Sequence, residues 1–457
     1  MEQSNIRSGI MIIFKLNLKF YKKYIKKLIL TGLSKVIGLI SQLVPKDKNL
    51  VLSFVDFEKI NDELIPYKND GVYIFSEYLK KEKSHLKIVY LSSNQFGGLV
   101  RNKNIVTKIK NIIFRIRSSI IIYKQPPHIT SYFSNNQNII CLGYFLMPFK
   151  SDYWELKKWW YFYGDYVNEN YDENKFANDN TLKKFIIDFF TYQKKQFRNK
   201  KIYYITASEY ASDLISRSHN IPRHIFCSLG SVKAELSKRQ VNVVDLFKLN
   251  TKPACVVLYT PTFRDKYFYK NNQNLKDDVN YIFENNDREI LSDFLVKENI
   301  ILIIKFHKSF NYYRKLENKL KREDNSYCDN CYFLTFEHEK QFNISINDLF
   351  NSSDAMITDY SSISFDYLSY NKPIIYYMPD FDEYREYRGF SHEPITDMIA
   401  GDTTFNLEQL ISSLKRIVSG ADEWQEKRSL LLNRVNPHFK EDVNKNILEF
   451  MVNKKII

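Results

Sequence analysis

Apolar and polar residues change period repeatedly along this chain, and the changes divide it into predicted elements. From 10 to 44 the apolar residues recur at helical spacing, until Pro45 stops the run. The stretch 49–57 (NLVLSFVDF) then reads as a strand, 71–81 as a helix, 86–91 as a strand and 104–115 as a helix or a basic strand. Strands at 120–123 and 138–142 follow, then an aromatic and polar insert at 154–188 with helical spacing, a strand at 201–206 and a helix at 209–218. A loop over 232–250 separates these from a second series. That series has strands at 254–259, 300–304, 332–336 and 374–377, and helices at 290–297 and 346–351. Strands alternating with helices predict parallel sheets covered on both faces, hence an α/β fold with two Rossmann-like domains. The predicted division is a basic amphipathic helix (1–47), two Rossmann-like domains (48–235 and 236–435) and a C-terminal helix (436–457).

One stretch compresses a whole unit of this alternation. In 353–373, SDAMITDYSSISFDYLSYNKP, a short apolar strand meets a polar turn and then a mostly apolar helix that ends at Asn371-Lys372-Pro373. Hydroxyls and carboxylates suit a helix N-terminus because they accept its orphan amide protons, so Asp359, Ser361 and Ser362 are candidate caps. A strand, a turn and a helix start also form an anion site, with amides and the helix dipole aimed at the carboxyl end of the sheet. Both readings stand on these residues.

Composition narrows the partners. The formal net charge is +14 and the pI about 9.1, which favours anionic ligands: polyphosphate, anionic lipid or nucleic acid. The lysines cluster in the first segment (Lys15, Lys19, Lys22, Lys23, Lys26, Lys27, Lys35) with no acid among them. That pattern suits an amphipathic helix on an anionic membrane surface, and the alternative is a helix packed on the protein with a solvated basic face. No apolar run is long enough to span a bilayer, and there is no compact apolar core with a cleavage site. No nucleic-acid module or aromatic-interleaved basic stripe appears, so nucleic acid is not an expected partner. The five cysteines are scattered and odd in number, apart from Cys328-x-x-Cys331, which lacks the second ligand pair of a structural zinc site. No metal site is expected from the protein's own ligands, although Mg²⁺ arriving with a diphosphate needs few of them.

Five spaced motifs carry a resemblance: LYTPTFRD (258–265), IKFH (304–307), SDAMITDYSSISFDYL (353–368), NKPIIYYMPD (371–380) and YREYRGF (384–390). In this order and spacing the chain resembles the CDP-glycerol glycerophosphotransferases, the teichoic-acid primases and polymerases. The resemblance implies a GT-B-like fold with a donor-binding C-terminal domain and an acceptor-binding N-terminal domain. It also implies a CDP-activated donor such as CDP-glycerol, a lipid-linked or glycan acceptor, and a place at the cytoplasmic face of the membrane. The first half matches more loosely: 208–210 is SEY, and GSVKAE (230–235) stands where the family has Gly-x-Pro-Arg-Asn-Asp. CLGYFLMPFK (141–150) stands where the family has Trp-His-Gly-Thr-Pro-Leu-Lys, with Phe145 in place of the histidine. A phenyl ring cannot accept a proton, so either another group is the base, with His128 and Asp152 the nearest candidates, or the acceptor differs, or the chain transfers poorly; Lys150 remains to meet an acceptor phosphate.

The implied chemistry assigns roles. Attack of an alcohol on the β-phosphorus of a nucleotide-diphospho-alcohol releases a nucleoside monophosphate, so the protein must hold the diphosphate and neutralise its charge. Candidate donor-binding residues are Arg264, Thr358, Ser361, Ser362 and Arg388 with its neighbour Gly389; candidate catalytic residues are His307, Lys305 and Asp359. Each has a plainer reading: His307 as a half-buried histidine, Arg264 and Arg388 as partners of Asp265 and Glu386, Asp359 as a helix cap. The functional alternatives are a GT-B glycosyltransferase using a nucleotide sugar and a non-catalytic nucleotide- or glycan-binding homologue.

Overall fold

The computed structural model describes residues 40–55, 57–60, 63–66, 70–92, 105–124, 136–142, 201–218, 221–232, 240–262, 285–306, 322–324, 326–387 and 389–457. Of the predicted N-terminal helix (1–47) only 40–47 fall within them; 40–43 are helical, 44–46 are not, and Asp47 already begins the first strand; the 154–188 insert lies outside.

The first lobe runs β1 (Asp47–Val55), a hairpin of β2 (Phe57–Ile60) and β3 (Glu63–Pro66), α1 (Gly71–Glu82), β4 (Lys87–Ser92), α2 (Ile105–Arg117), β5 (Ser118–Tyr123), β6 (Asn138–Leu142), β7 (Lys201–Thr206), α3 (Glu209–Ser218) and β8 (Phe226–Ser228). Its six-stranded sheet has the order β4-β1-β5-β6-β7-β8, every pair parallel. Alternation along β1 sends Val51 and Val55 to the face covered by α1, and Leu52 and Phe54 to the opposite core. Asp70 caps α1 by accepting the Val72 amide at 2.8 Å, and Val72, Phe75 and Leu79 form its buried stripe.

The second lobe begins with α4 (Val243–Phe247), inside the predicted interdomain loop, where Asn242 caps a single helical turn. It continues with β9 (Cys255–Thr260), α5 (Asn285–Lys297), β10 (Ile300–Ile304), β11 (Ser326–Cys328), β12 (Cys331–Phe333), α6 (Phe336–Phe342), β13 (Ala355–Thr358), α7 (Ile363–Tyr367), β14 (Ile374–Tyr377), α8 (Phe381–Tyr387), β15 (Asp402–Thr404), α9 (Leu407–Val418), α10 (Gln425–Val435) and α11 (Val443–Asn453). The sheet order is β11-β12-β10-β9-β13-β14-β15, parallel except for β11 against β12. The predicted strand at 332–336 ends at Phe333, because Thr335 and His338 form a capping box that starts α6. The predicted helix at 346–351 is a 3₁₀ turn, Ile346–Leu349.

The lobes are joined twice. Ala211 and Leu214 of α3 share one core with Leu258, Met356, Leu431 and Leu432 of the second lobe. After α10 the chain returns, and Val443, Ile447 and Met451 of α11 pack on Val72, Phe75 and Leu79 of α1. Gly230 makes that return feasible: its φ is +106°, and a Cβ there would lie 2.6 Å from Val443 Cγ2.

Candidate functional site

A parallel sheet places all its strand-to-helix loops on one edge, and ligands gather where the strand order reverses. In the second lobe the chain goes from β9 outward to β10 and β12, then comes back to β13 on the other side of β9. The reversal therefore falls between β9 and β13, whose carboxyl ends carry the LYTPT and TDYSS motifs.

Asp359 fastens the two loops together. Its Oδ1 accepts the Thr262 amide at 2.8 Å and the Tyr360 amide at 2.6 Å, and only 3% of the residue is exposed. This corrects the expectation of a helix cap: the carboxylate binds across the crevice instead of along α7. Ser362 is the N-cap residue but makes no side-chain cap bond, and Ser361 Oγ reaches the Ile363 amide only at 3.5 Å. Helix α7 itself has five residues, so its dipole is small. Ser361 and Ser362 are half-buried at the crevice.

Thr358 is a second correction. It is fully buried and donates its hydroxyl to the Thr260 carbonyl at 2.9 Å, so it braces β13 against β9 and does not face a ligand with that proton. Lys305 is a third. At the end of β10 its ammonium meets Glu339 of α6 at 2.9 Å and donates to the Leu334 carbonyl at 3.2 Å, with both side chains largely buried. Its charge is matched within the protein, and its effect is to fix the end of β10, two residues before His307. Gly389 closes α8: its φ is +61° and its amide donates to the Tyr384 and Arg385 carbonyls. His307, Arg264, Arg388, Lys150, His128 and Asp152 lie outside the described residues.

Beside the crevice, the Tyr360 ring stacks on Tyr384 at 3.6 Å and its hydroxyl donates to buried Asp380 at 3.2 Å. Motif residues of 353–368, 371–380 and 384–390 are thereby packed into one unit. The lobes also meet nearby: Tyr210, in the SEY motif, bonds His392 Nδ1 at 2.9 Å, and His392 Nε2 lies 3.3 Å from Asp397. Burial pushes the Tyr210 hydroxyl up to about 12, so it keeps its proton near neutrality.

Sequence reasoning missed the matching feature of the first lobe. Its strand order reverses between β1 and β5, and there Lys124, just after β5, lies 3.9 Å from the buried Asp70 carboxylate. The sequence signal was faint: one lysine directly after an apolar strand. The Cys328-x-x-Cys331 pair flanks the β11–β12 turn, at the sheet edge opposite the crevice; both thiols are buried, and no metal-holding cluster occurs among the described residues.

Two doubly wound lobes, each with a switch-point crevice, define the GT-B class of fold. The structure of the wall teichoic acid polymerase TagF superposes with a TM-score of 0.59 over 97% of this chain and 98% of that one, at 16% identity. The family model described as CDP-glycerol:poly(glycerophosphate) glycerophosphotransferase matches residues 172–453, and the chain belongs to that family. The teichoic acid poly(glycerol phosphate) polymerase of Bacillus spizizenii is 33% identical over 139 residues, 30% of each chain. The teichoic acid glycerol-phosphate primase of Bacillus subtilis is 24% identical over 283 residues, 60% of this chain and 65% of the primase. The matches therefore span about a third of that polymerase and just under two thirds of that primase.

Proposed function

We propose that this protein transfers glycerol phosphate, or a related polyol phosphate, from a CDP-activated donor to a teichoic-acid or similar cell-surface acceptor. One observation carries the reading: the strand reversal between β9 and β13 brings the 258–262 and 358–362 motif loops together, with Asp359 tying them at 2.8 Å. In this reading the donor diphosphate lies over that junction. Ser361 and Ser362 meet its oxygens, and Arg264 and Arg388 supply the guanidinium charge that a diphosphate requires. The acceptor oxygen attacks the β-phosphorus in line, the bond to the nucleotide breaks, and CMP leaves. His307 is suited to donate to the phosphate being released. Asp359 and Lys305 act as positioning residues, holding the loop and strand end that present these groups. On the acceptor side Lys124 joins Lys150, and the proton of the attacking hydroxyl goes to a carboxylate or imidazole of the first lobe, with His128 and Asp152 the candidates. Mg²⁺ would enter with the diphosphate. The acceptor is lipid-linked or glycan-bound, and the protein works at the cytoplasmic membrane face, held by its basic N-terminal segment.

The test is product analysis with CDP-glycerol and a glycerol-phosphate-terminated acceptor. The expected products are an extended acceptor and CMP, with His307→Ala losing turnover. Release of CDP would reject phosphoryl transfer, because the glycerol C–O bond would then break in place of the P–O bond; turnover of a nucleotide sugar with release of the nucleoside diphosphate would favour glycosyl transfer. Binding of donor without turnover in any acceptor would favour a non-catalytic role.

A further inference from the structure

Helix α2 has an apolar side that the fold covers and another that it does not. Its sequence, IVTKIKNIIFRIR, contains Lys108, Lys110, Arg115 and Arg117 and no acid. Phe114 packs inward on the core of Leu52, Phe54 and Ile121, and Arg115 is buried with its guanidinium 5.5 Å from the Phe54 ring centre. Outward, Ile109 and Ile113 are 51% and 46% exposed, one helical turn apart on a single stripe, with Lys110 and Arg117 exposed on the same helix.

The last turn of α2 is fastened to the end of the N-terminal segment. The Ile116 carbonyl accepts Lys46 Nζ at 2.6 Å and Ser41 Oγ at 3.4 Å. In the helical residues beside that joint, Ile40 is 44% and Leu43 85% exposed. Four of the ten exposed large hydrophobics among the described residues thus sit on two elements bonded to each other. Single exposed aliphatics are ordinary, whereas a group of them on two bonded elements, beside Lys46, Lys110 and Arg117 and with Asp47 at the joint, marks an interaction surface. The chain leading into Ile40 has no acid from Lys15 to Val44.

We propose that the outer face of α2, together with residues 40–43, docks on an anionic lipid bilayer. Isoleucine side chains enter the boundary between headgroups and acyl chains while Lys110 and Arg117 meet lipid phosphates. Self-association through this face would set cation against cation in a chain of net charge +14, which disfavours a second copy as the occupant. The topology gives the docking a use. In the crossover from β4 to β5, α2 runs back along the parallel sheet, so its N-terminal end lies toward the carboxyl edge. A bilayer along α2 passes beside the acceptor edge of the first lobe, and a lipid-linked acceptor reaches the crevice without leaving the membrane. The inference refines the membrane placement proposed above and rests on it, but it assigns contact to a folded helix as well as to the N-terminal segment.

The experiment is sedimentation of the full chain with phosphatidylglycerol-containing vesicles and with phosphatidylcholine vesicles. The wild type should bind only the former. Ile109→Glu/Ile113→Glu should lower partitioning by about tenfold or more. Ile109→Ser/Ile113→Ser should lower it to a lesser degree, and both variants should keep the wild-type circular dichroism and melting curve. A charge variant, Lys22→Gln/Lys23→Gln/Lys26→Gln/Lys27→Gln, separates the two readings. If it alone abolishes binding and both isoleucine variants bind normally, the membrane reading stands and the α2 inference fails. Wild-type protein that ignores anionic vesicles overturns both. A wild-type dimer in ultracentrifugation that the glutamate variant splits into monomers overturns the bilayer in favour of self-association.

Discussion

Asp359 offers the sharpest test of the crevice. Its Oδ1 holds two backbone amides, from Thr262 at 2.8 Å and from Tyr360 at 2.6 Å, in an environment nearly closed to water. A bond to a charged acceptor is worth about 1.5–3 kcal/mol and a neutral one about 0.5–1.5. Asp359→Asn keeps an oxygen in place and loses the charge, so it should cost about 2 kcal/mol over the two bonds. Asp359→Ala leaves both amides buried without that acceptor, at about 1–3 kcal/mol each, so about 4 kcal/mol in total. Urea unfolding measures both. The functional counterpart is donor binding by calorimetry. Because Asp359 sets the spacing of the 260–262 and 360–362 loops, CDP-glycerol affinity should fall at least about tenfold in the alanine variant, which equals about 1.4 kcal/mol of lost positioning. An alanine variant as stable as the wild type would refute the assigned bonds. One that is destabilised yet binds donor normally would show that the ligand lies elsewhere.

Three further outcomes follow from the same structure. Gly230→Ala forces a left-handed φ on a residue with a Cβ and drives it into Val443, so it should cost about 2–4 kcal/mol and raise hydrogen exchange in α11, which the wild-type contact protects. Tyr210→Phe deletes the 2.9 Å bond to His392, worth about 1 kcal/mol, so amides of 395–399 should exchange about fivefold faster, and unchanged rates would remove the bond from the inter-lobe contact. Asp422 is held below its ordinary value of 3.8, first by its hydrogen bond from Arg428, a guanidinium with no exposed surface. A depressed carboxyl stabilises the fold above that ordinary value and stops doing so as pH falls through the folded value. The gap in stability between wild type and Asp422→Asn should therefore be about 2 kcal/mol near neutrality and should close in the acid range below about pH 4, as chemical denaturation at stepped pH would measure.

Much of the fold was legible because buried parallel strands advertise themselves. Runs such as 255–260 and 300–304 are apolar on both faces, as a strand sandwiched between helix layers must be. Where local and longer-range signals competed, boundaries moved: the 332–336 run looks continuous, but the Thr335 hydroxyl captures the His338 amide and converts its end into α6. The short α4 was hidden in a polar connection, since one helical turn carries almost no periodicity. Candidate site residues fared differently by type. Motif position placed Ser361, Ser362 and Asp359 together at the β9–β13 crevice, yet it could not say that Lys305 is matched by Glu339, thirty-four residues away in sequence.

The linear order of residues determined the alternation of strand and helix, the two-domain α/β class, and the spaced motifs that tie the chain to its family. All of these are local patterns repeated along the chain. Strand order was decided only in three dimensions, because pairing depends on which buried faces fit across long separations. That order alone makes neighbours of Thr262 and Asp359, and of Asp70 and Lys124. It likewise turns Thr358 inward to Thr260 and lets α11 close against Gly230, contacts whose partners no local pattern can name.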